Sequence, residues 1–363
     1  MRMHPAIARA QAFCASHGLG IPVLLAPMAG ACPPSLSIAV ASAGGLGACG
    51  AIAMRPAAIR AWASEFRKGS REGSFQMNLW VVPEAAPVRD AAVEEAMRAF
   101  LKRWGPAIAT DAGEYSRPDF TTQCETLLEV GPAAISSIMG LYPAAFVRRM
   151  KAQGIRWIAT ATTVTEARLA VAAGADAVVA QGMEAGGHRG AFDSSRAERE
   201  LVGLSALLPG VVDAVDVPVI AAGGIADPRA VAAALILGAS AVQVGTGFLR
   251  CPEARLPSAW ADAIGKCLPE ETLITRAFSG RPGRSIATAY ACAAAAPGAP
   301  APAPYPVQSG LTQAMRSHAL EANSLDGLSA WAGQSAARAQ AKPAAEVALE
   351  LWNGARALLE PAS

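Results

Sequence analysis

Short apolar runs recur along this chain, each ending at glycine, proline or a turn residue and each followed by a stretch of helical spacing. Uninterrupted apolar runs of about four to eight residues mark strands buried on both faces, as in parallel sheets. The first run, 21–28, is bounded by prolines; an Ala-rich helix over 5–16 precedes it and a helix over 35–43 follows. Glycines crowd residues 44–50, which read as lying on and beside a second strand. Arg55-Pro56 opens an amphipathic helix over 56–67, because proline is favoured in a first helical turn. Ser74–Trp80 reads as a third strand, with Asn78 near its carboxyl end. From 133 the pattern is regular, with strands at 133–138, 155–160, 176–181, 217–222 and Ala241–Val244. Between them lie helices at 142–153, 165–173 and 203–215, and one that runs from Asp227-Pro228 to Gly238. Thr163 or Thr165 suits an N-cap there, with Glu166 in the first turn.

Strands alternating with helices argue for a parallel sheet, and eight repeats favour a closed barrel over an open doubly wound sheet. The expected fold is therefore α/β, a (β/α)8 TIM barrel over residues 1–264. An excursion at 81–131, with helical patterns near 89–104 and 121–130, interrupts it, and excursions of that length usually cover the active face. After 265 the pattern changes. A basic loop at 278–284 carries Arg281 and Arg284, which read equally as an anion site and as a solvated loop. An Ala/Pro stretch at 293–304 should be extended or irregular. Helices are expected over 308–322, 326–340 and 343–359. Residues 265–363 thus form a mainly helical C-terminal region, placed over the barrel mouth as a lid or small second domain.

The candidate chemistry gathers around 176–192. The strand there stops at Gln181-Gly182, and the following loop carries Glu184, Gly186, Gly187 and His188. A strand that ends in glycines and presents a histidine is one way a barrel offers a reactive group at its carboxyl edge. A histidine among glycines is also, and more often, an ordinary hydrogen-bonded loop residue. The last two strands end at Gly223-Gly224 and at Gly245-Thr246-Gly247. Backbone N–H groups at such positions bind phosphate in many barrels, whereas the plainer reading is a pair of tight turns. Adjacent and last in the series, they point to a phosphate-bearing ligand. A GxGxxG match at Gly45, Gly47 and Gly50 reads as false, because a helix precedes it where a dinucleotide fingerprint needs a strand.

Composition narrows the class. Hydrophobic residues make up 52% of the 363 and charged ones only 17%, which suits buried parallel strands. A net charge of +2 gives no reason to expect nucleic acid or a membrane surface as partner. No Asp, Glu, Lys or Arg occurs between Arg9 and Arg55, but Pro22, Pro27, Pro33 and Pro34 cut that stretch too short for a bilayer span. The N-terminus lacks the pattern of a signal peptide. Seven scattered cysteines without a CxxC pair read as reduced cytoplasmic thiols, and dispersed histidines leave no metal site.

These residues together match a known pattern. The chain resembles the nitronate monooxygenases, formerly called 2-nitropropane dioxygenases. The resemblance covers nearly the whole chain and rests on Ala26-Pro27-Met28-Ala29-Gly30, on Asn78, and on the run Gln181-Gly182-Met183-Glu184-Ala185-Gly186-Gly187-His188-Arg189-Gly190. It continues through Ala222-Gly223-Gly224-Ile225 and Gln243-Val244-Gly245-Thr246 to Ser279-Gly280-Arg281-Pro282, Tyr305-Pro306-Val307-Gln308 and Trp331-Ala332-Gly333-Gln334. The family often has Asn shortly after the Gly-Arg-Pro segment, where this chain has Ser285-Ile286-Ala287-Thr288.

The resemblance implies FMN at the carboxyl face. Gly223, Gly224, Gly245 and Thr246 would hold its phosphate. Asn78 and Gln181 would hydrogen-bond the flavin or its ribityl chain. Met28 and Gly186 would line the ring, with Ala26, Pro27, Gly187, Gln243 and Val244 also in the cofactor-binding set. His188 would be the catalytic residue, either as a protonated clamp on nitronate oxygens or as a base toward a neutral nitroalkane. The implied reaction is one-electron oxidation of an alkyl nitronate, with O2 capturing the radical to give a carbonyl compound and nitrite or a related nitrogen oxide. Alternatives are an NAD(P)H-dependent FMN reductase of quinones or enoyl thioesters and, from another class, a non-redox phosphosugar isomerase or lyase. A pure binding protein fits least. Nitronate and O2 are the expected partners of a cytoplasmic monomer or homodimer.

Overall fold

The computed structural model describes residues 3–70, 72–82, 88–114 and 117–360. In chain order their strands are β1 (Val23–Leu25), β2 (Leu46–Gly50), β3 (Ser74–Trp80), β4 (Ala134–Ile138), β5 (Arg156–Ala161), β6 (Ala177–Gln181), β7 (Gly187–His188), β8 (Val219–Ala222), β9 (Ala241–Val244), β10 (Thr272–Thr275) and β11 (Gly283–Ile286). β1 to β6, β8 and β9 form a closed parallel barrel in that order. It shuts where β9 pairs with β1, with Val23 opposite Val242 and Leu25 opposite Val244. This is the expected (β/α)8 barrel. β6 is buried at every position, as an apolar run without alternation requires.

The helices begin where the sequence places their caps. The Thr163 side chain accepts from Glu166 N at 3.1 Å, and Asp227 accepts from Ala230 N at 3.1 Å. The glycines of the false dinucleotide match serve close packing. A Cβ on Gly47 would lie 2.9 Å from the Phe66 ring and 3.0 Å from Ser37 O, and one on Gly45 would lie 2.5 Å from Val23 O. Bare backbone at β2 thus lets β1 and the helices Pro34–Ser42 and Pro56–Gly69 approach.

The excursion after β3 contributes in two directions; its residues 83–87 and 115–116 lie outside the described set. The helix Phe120–Val130 packs on Pro56–Gly69 as part of the outer ring. The helix Ala91–Leu101 sends Met97 and Leu101 into a cluster with Phe278, Tyr290, Val307 and Leu311 of the C-terminal region.

That region departs from expectation. Residues 326–340 are not a helix: apart from a short 3-10 turn, Ala336–Arg338, they run as turns, and Trp331 forms a β-bridge to Ser285. Gly327 and Gly333 weaken any helix there. Residues 289–295 are helical, capped by the Thr288 hydroxyl on Ala291 N, so the irregular Ala/Pro stretch starts only afterwards. The helix expected at 308–322 is two, Val307–Leu311 and Gln313–Glu321, broken at Thr312, whose hydroxyl donates to Phe278 O at 2.6 Å. The basic loop is partly strand: β11 lies between β10 and β7, and both Arg281 and Arg284 are buried, which removes the solvated-loop reading. The final helix, Ala344–Leu359, packs on Pro228–Ile236, on Pro34–Ser42 and on β1, so it belongs to the ring around the barrel rather than to its mouth.

Candidate active site

His188 leaves the barrel after β6 and enters the short strand β7, where it pairs with Gly283 of β11. A residue from the middle of the chain is thereby fixed by one nearly a hundred positions later. Its ring sits between two indoles, 4.6 Å from Trp80 and 4.7 Å from Trp331 by centroid. Trp80 is the last residue of β3 and also meets Tyr305 at 5.5 Å. His188 Nε2 lies 2.8 Å from the Ser279 hydroxyl. Burial, with Arg281 and Arg316 adding positive potential, pushes the imidazole down to about 3. These effects favour the neutral ring, whose lone pair a base needs and a protonated clamp lacks.

The loop that carries His188 is held by buried groups. Gln181 spans it, donating from Nε2 to His188 O at 3.2 Å and accepting from Gly190 N at 2.8 Å. Arg189, only 2% exposed, donates to Gly182 O at 2.8 Å, and Arg284 donates to Met183 O at 2.9 Å. Successive carbonyls at the end of β6 thus face guanidinium groups. Glu184 accepts from Leu204 N at 2.9 Å and takes a structural part.

The glycine turns at the ends of β8 and β9 lie next to this loop. Gly223 and Gly224 have φ of 108° and 68°, a conformation that favours glycine. The backbone N–H groups of Gly224, Gly245 and Thr246 donate to no other described residue. The segment 331–335 crosses over them: Gly333 N donates to Thr246 Oγ1 at 2.9 Å, and Ser335 donates to Gly224 O at 2.7 Å. On the far side, the turn Ala26-Pro27-Met28 is tied by Cys32, whose thiol accepts from Met28 N at 2.9 Å and donates to Ala26 O at 3.2 Å. A Cβ on Gly245 would meet Met28 Sδ at 3.4 Å, so this turn borders the β9 end.

A family model described as nitronate monooxygenase matches residues 12–353. The chain belongs to the nitronate monooxygenase family. A nitronate monooxygenase of Pseudomonas aeruginosa is 40% identical over 334 residues, which cover 91% of this chain and 95% of that one. One from Paraburkholderia phytofirmans is 38% identical, covering 92% of each. Among solved structures, nitroalkane oxidase from Streptomyces ansochromogenes superposes with a TM-score of 0.86 at 34% identity, covering 94% of this chain and 98% of that one. FabK from Thermotoga maritima gives a TM-score of 0.73 at 26% identity, covering 99% and 98%. This family member is an enzyme, an oxidoreductase of the nitronate monooxygenase family. No helix among its described residues is long and apolar enough to cross a membrane.

The residues singled out from sequence all fall at or beside the carboxyl ends of barrel strands. Ala26, Pro27 and Met28 follow β1; Asn78 is in β3 and donates to Ser136 Oγ at 3.1 Å; Gln181 ends β6; Gln243 and Val244 end β9. Gly186 and Gly187 lead into His188. Gln243 Oε1 accepts from Gln76 Nε2 at 3.1 Å, which leaves its own amide nitrogen for other use. Sequence reasoning missed Trp80, Gln76 and Ser279. Trp80 carried a signal, an aromatic closing a strand; Ser279 lay within a segment of the resemblance, but its meeting with His188 depends on the C-terminal turn and could not be read.

Proposed function

We propose that this chain oxidises alkyl nitronates with O2 to a carbonyl compound and nitrite, using FMN held at the carboxyl face of the barrel, and that it also accepts neutral nitroalkanes. The observation that carries the reading is His188 held between two indoles, in a loop packed against the β8 and β9 ends with their unpartnered N–H groups. Those donors fit a phosphate, because backbone N–H groups without partners and without side chains in the way are what an oxyanion needs. Gly223, Gly224, Gly245 and Thr246 would hold the phosphate. Asn78, Gln181 and Gln243 would face the rest of the cofactor, with Ala26, Pro27, Met28, Gly186, Gly187 and Val244 shaping the walls. FMN would supply a one-electron acceptor for the substrate.

The chain's own groups do the rest. Trp80, Trp331 and Tyr305 exclude water from the space around His188 and present flat apolar faces. The neutral imidazole takes the α-proton of a nitroalkane, and the nearby Arg281 and Arg316 favour the anion that results. In this reading the C-terminal segments that carry Ser279, Tyr305 and Trp331 act as the cover of the site, while the final helix stays in the outer ring.

Oxygen uptake by the purified flavoprotein, with a small alkyl nitronate and with NADH in parallel, tests the proposal. Rapid uptake with nitronate alone supports it. Silence toward nitronate together with bleaching of the flavin by NADH would replace it with the reductase reading.

A further inference from the structure

Ser279 lies in a tight turn in which both Ser279 N and Gly280 N donate to Arg276 O, at 3.3 and 2.7 Å. Gly280 has φ of 83°, and a Cβ there would stand 2.5 Å from Ala303 O and 2.6 Å from Tyr305 N, so the turn has one arrangement open to it. The Ser279 hydroxyl is buried and has three polar neighbours: Arg281 N and Arg281 O, each at 3.2 Å, and His188 Nε2 at 2.8 Å.

A hydroxyl has one proton to give and two lone pairs. Arg281 N can only donate, so it takes one lone pair. If the hydroxyl proton went to His188 Nε2, Arg281 O would lose the one side-chain donor that reaches it. If it goes to Arg281 O, the second lone pair accepts a proton from Nε2 and every group is satisfied. Buried polar groups are overwhelmingly satisfied, and that rule selects the second arrangement. His188 Nδ1 has no hydrogen-bond partner among the described residues. A neutral ring with its proton on Nε2 has its lone pair on Nδ1.

We infer that Ser279 is a positioning residue that fixes His188 in the Nε2–H tautomer, and that Nδ1 is the atom that removes the α-proton of a nitroalkane. The inference rests on the base role proposed above for His188. In the step, the Nδ1 lone pair takes the proton of R2CH–NO2. The C–H bonding pair becomes the second C=N bond, and an N=O pair moves onto oxygen. The products are the nitronate anion and an imidazolium whose Nε2–H stays on Ser279.

The measurement is the two-bond 1H–15N correlation of histidine-labelled holoenzyme at neutral pH, which distinguishes the two neutral tautomers. The chain has four histidines, so the spectrum of His188→Asn assigns the relevant signal by its loss. The expected pattern is Nε2–H in the wild type, a shift toward the other tautomer in Ser279→Ala, and recovery in Ser279→Thr. In turnover, Ser279→Ala should lower kcat for a neutral nitroalkane by on the order of ten- to a hundredfold, a part of what a general base contributes. The loss for the preformed nitronate should be several-fold smaller, with KM moving less than kcat. An Nδ1–H pattern in the wild type, or an unchanged pattern in Ser279→Ala, overturns the inference, as does equal loss on both substrates at unchanged flavin content. If Ser279→Ala does not fold, Ser279→Cys, a weak donor and acceptor of similar size, takes its place. Should the wild type oxidise neither substrate, the proposed function falls, while the spectrum still decides the tautomer.

Discussion

Gly186→Ala tests the contact between the His188 loop and the segment that crosses the glycine turns. A Cβ on Gly186 would lie 2.5 Å from Gly333 N and 2.6 Å from Ala332 C, both backbone atoms, whereas ordinary contact begins at 3.4 Å. The shortfall of about 0.9 Å cannot be relieved by a rotamer change, so the chain at 332–333 must retreat. The hydrogen bond from Gly333 N to Thr246 Oγ1, 2.9 Å long, would then stretch to about 3.8 Å, beyond useful range. Overpacking of this kind costs about 1–3 kcal/mol, and each lost hydrogen bond adds about 0.5–1.5 kcal/mol. A net destabilisation of roughly 1.5–4.5 kcal/mol follows, together with weaker retention of the phosphate-bearing ligand. Neighbouring Gly187 is the control. A Cβ there meets nothing within 4 Å, but φ is 76°, so Gly187→Ala strains only the backbone, by about 1–2 kcal/mol. Thermal unfolding with flavin release followed by fluorescence compares the two. A Gly186→Ala protein with wild-type midpoint and flavin retention would refute the argument, because it would mean that the 332–333 backbone is free to yield.

Two further outcomes follow from His188. His188→Asn removes the base but keeps a polar side chain, so turnover of neutral nitroalkane should fall by about 10²–10⁴ while nitronate turnover falls far less; oxygen uptake on each substrate measures the ratio. The low pKa of the imidazole also makes stability depend on pH. Its folded value of about 3 lies below the ordinary 6.5, so the unfolded chain binds the extra proton first and stability declines as pH falls from about 6.5 toward 3. At pH 5 this amounts to about 2 kcal/mol relative to pH 8, and denaturant midpoints of wild type and His188→Asn at the two pH values should differ by that slope. Parallel pH dependence in the two proteins would rule it out.

The barrel was legible because its strands are apolar without interruption and end at glycines, features that local sequence carries by itself. Even the false GxGxxG match could be dismissed on order alone, since a helix stood where a strand was needed. β7 was not legible: two residues, Gly187 and His188, become a strand only because Arg284 and Gly283 lie opposite them. Arg281 and Arg284 stayed undecided for a related reason. Arginine is normally at the surface, and nothing local announces that the Met183 carbonyl will take Arg284 inward. The helix read at 326–340 failed because Trp331 and Gly333 bind partners far away in sequence, an example of tertiary contacts overriding local spacing. His188, Gln181 and the glycine turns could be picked out as a set, whereas the indoles and the hydroxyl around His188 could not, since they come from both ends of the fold.

The way the barrel shuts bears on how the protein is made. β1 completes its pairing only with β9, and the outer face of β1 is covered by Ala344–Leu359, close to where His4 N meets Glu360 Oε1 at 2.7 Å. On a ribosome adding about 5–20 residues per second, Val23 would wait roughly 10–45 s for Val242 to emerge, and longer for its covering helix. During that interval the first strands form an open sheet with an unpaired, apolar edge, the kind of surface that chaperones engage and that aggregates when they do not. A nascent chain halted short of β9 would therefore be no smaller working version of the enzyme but a sheet without its closing seam.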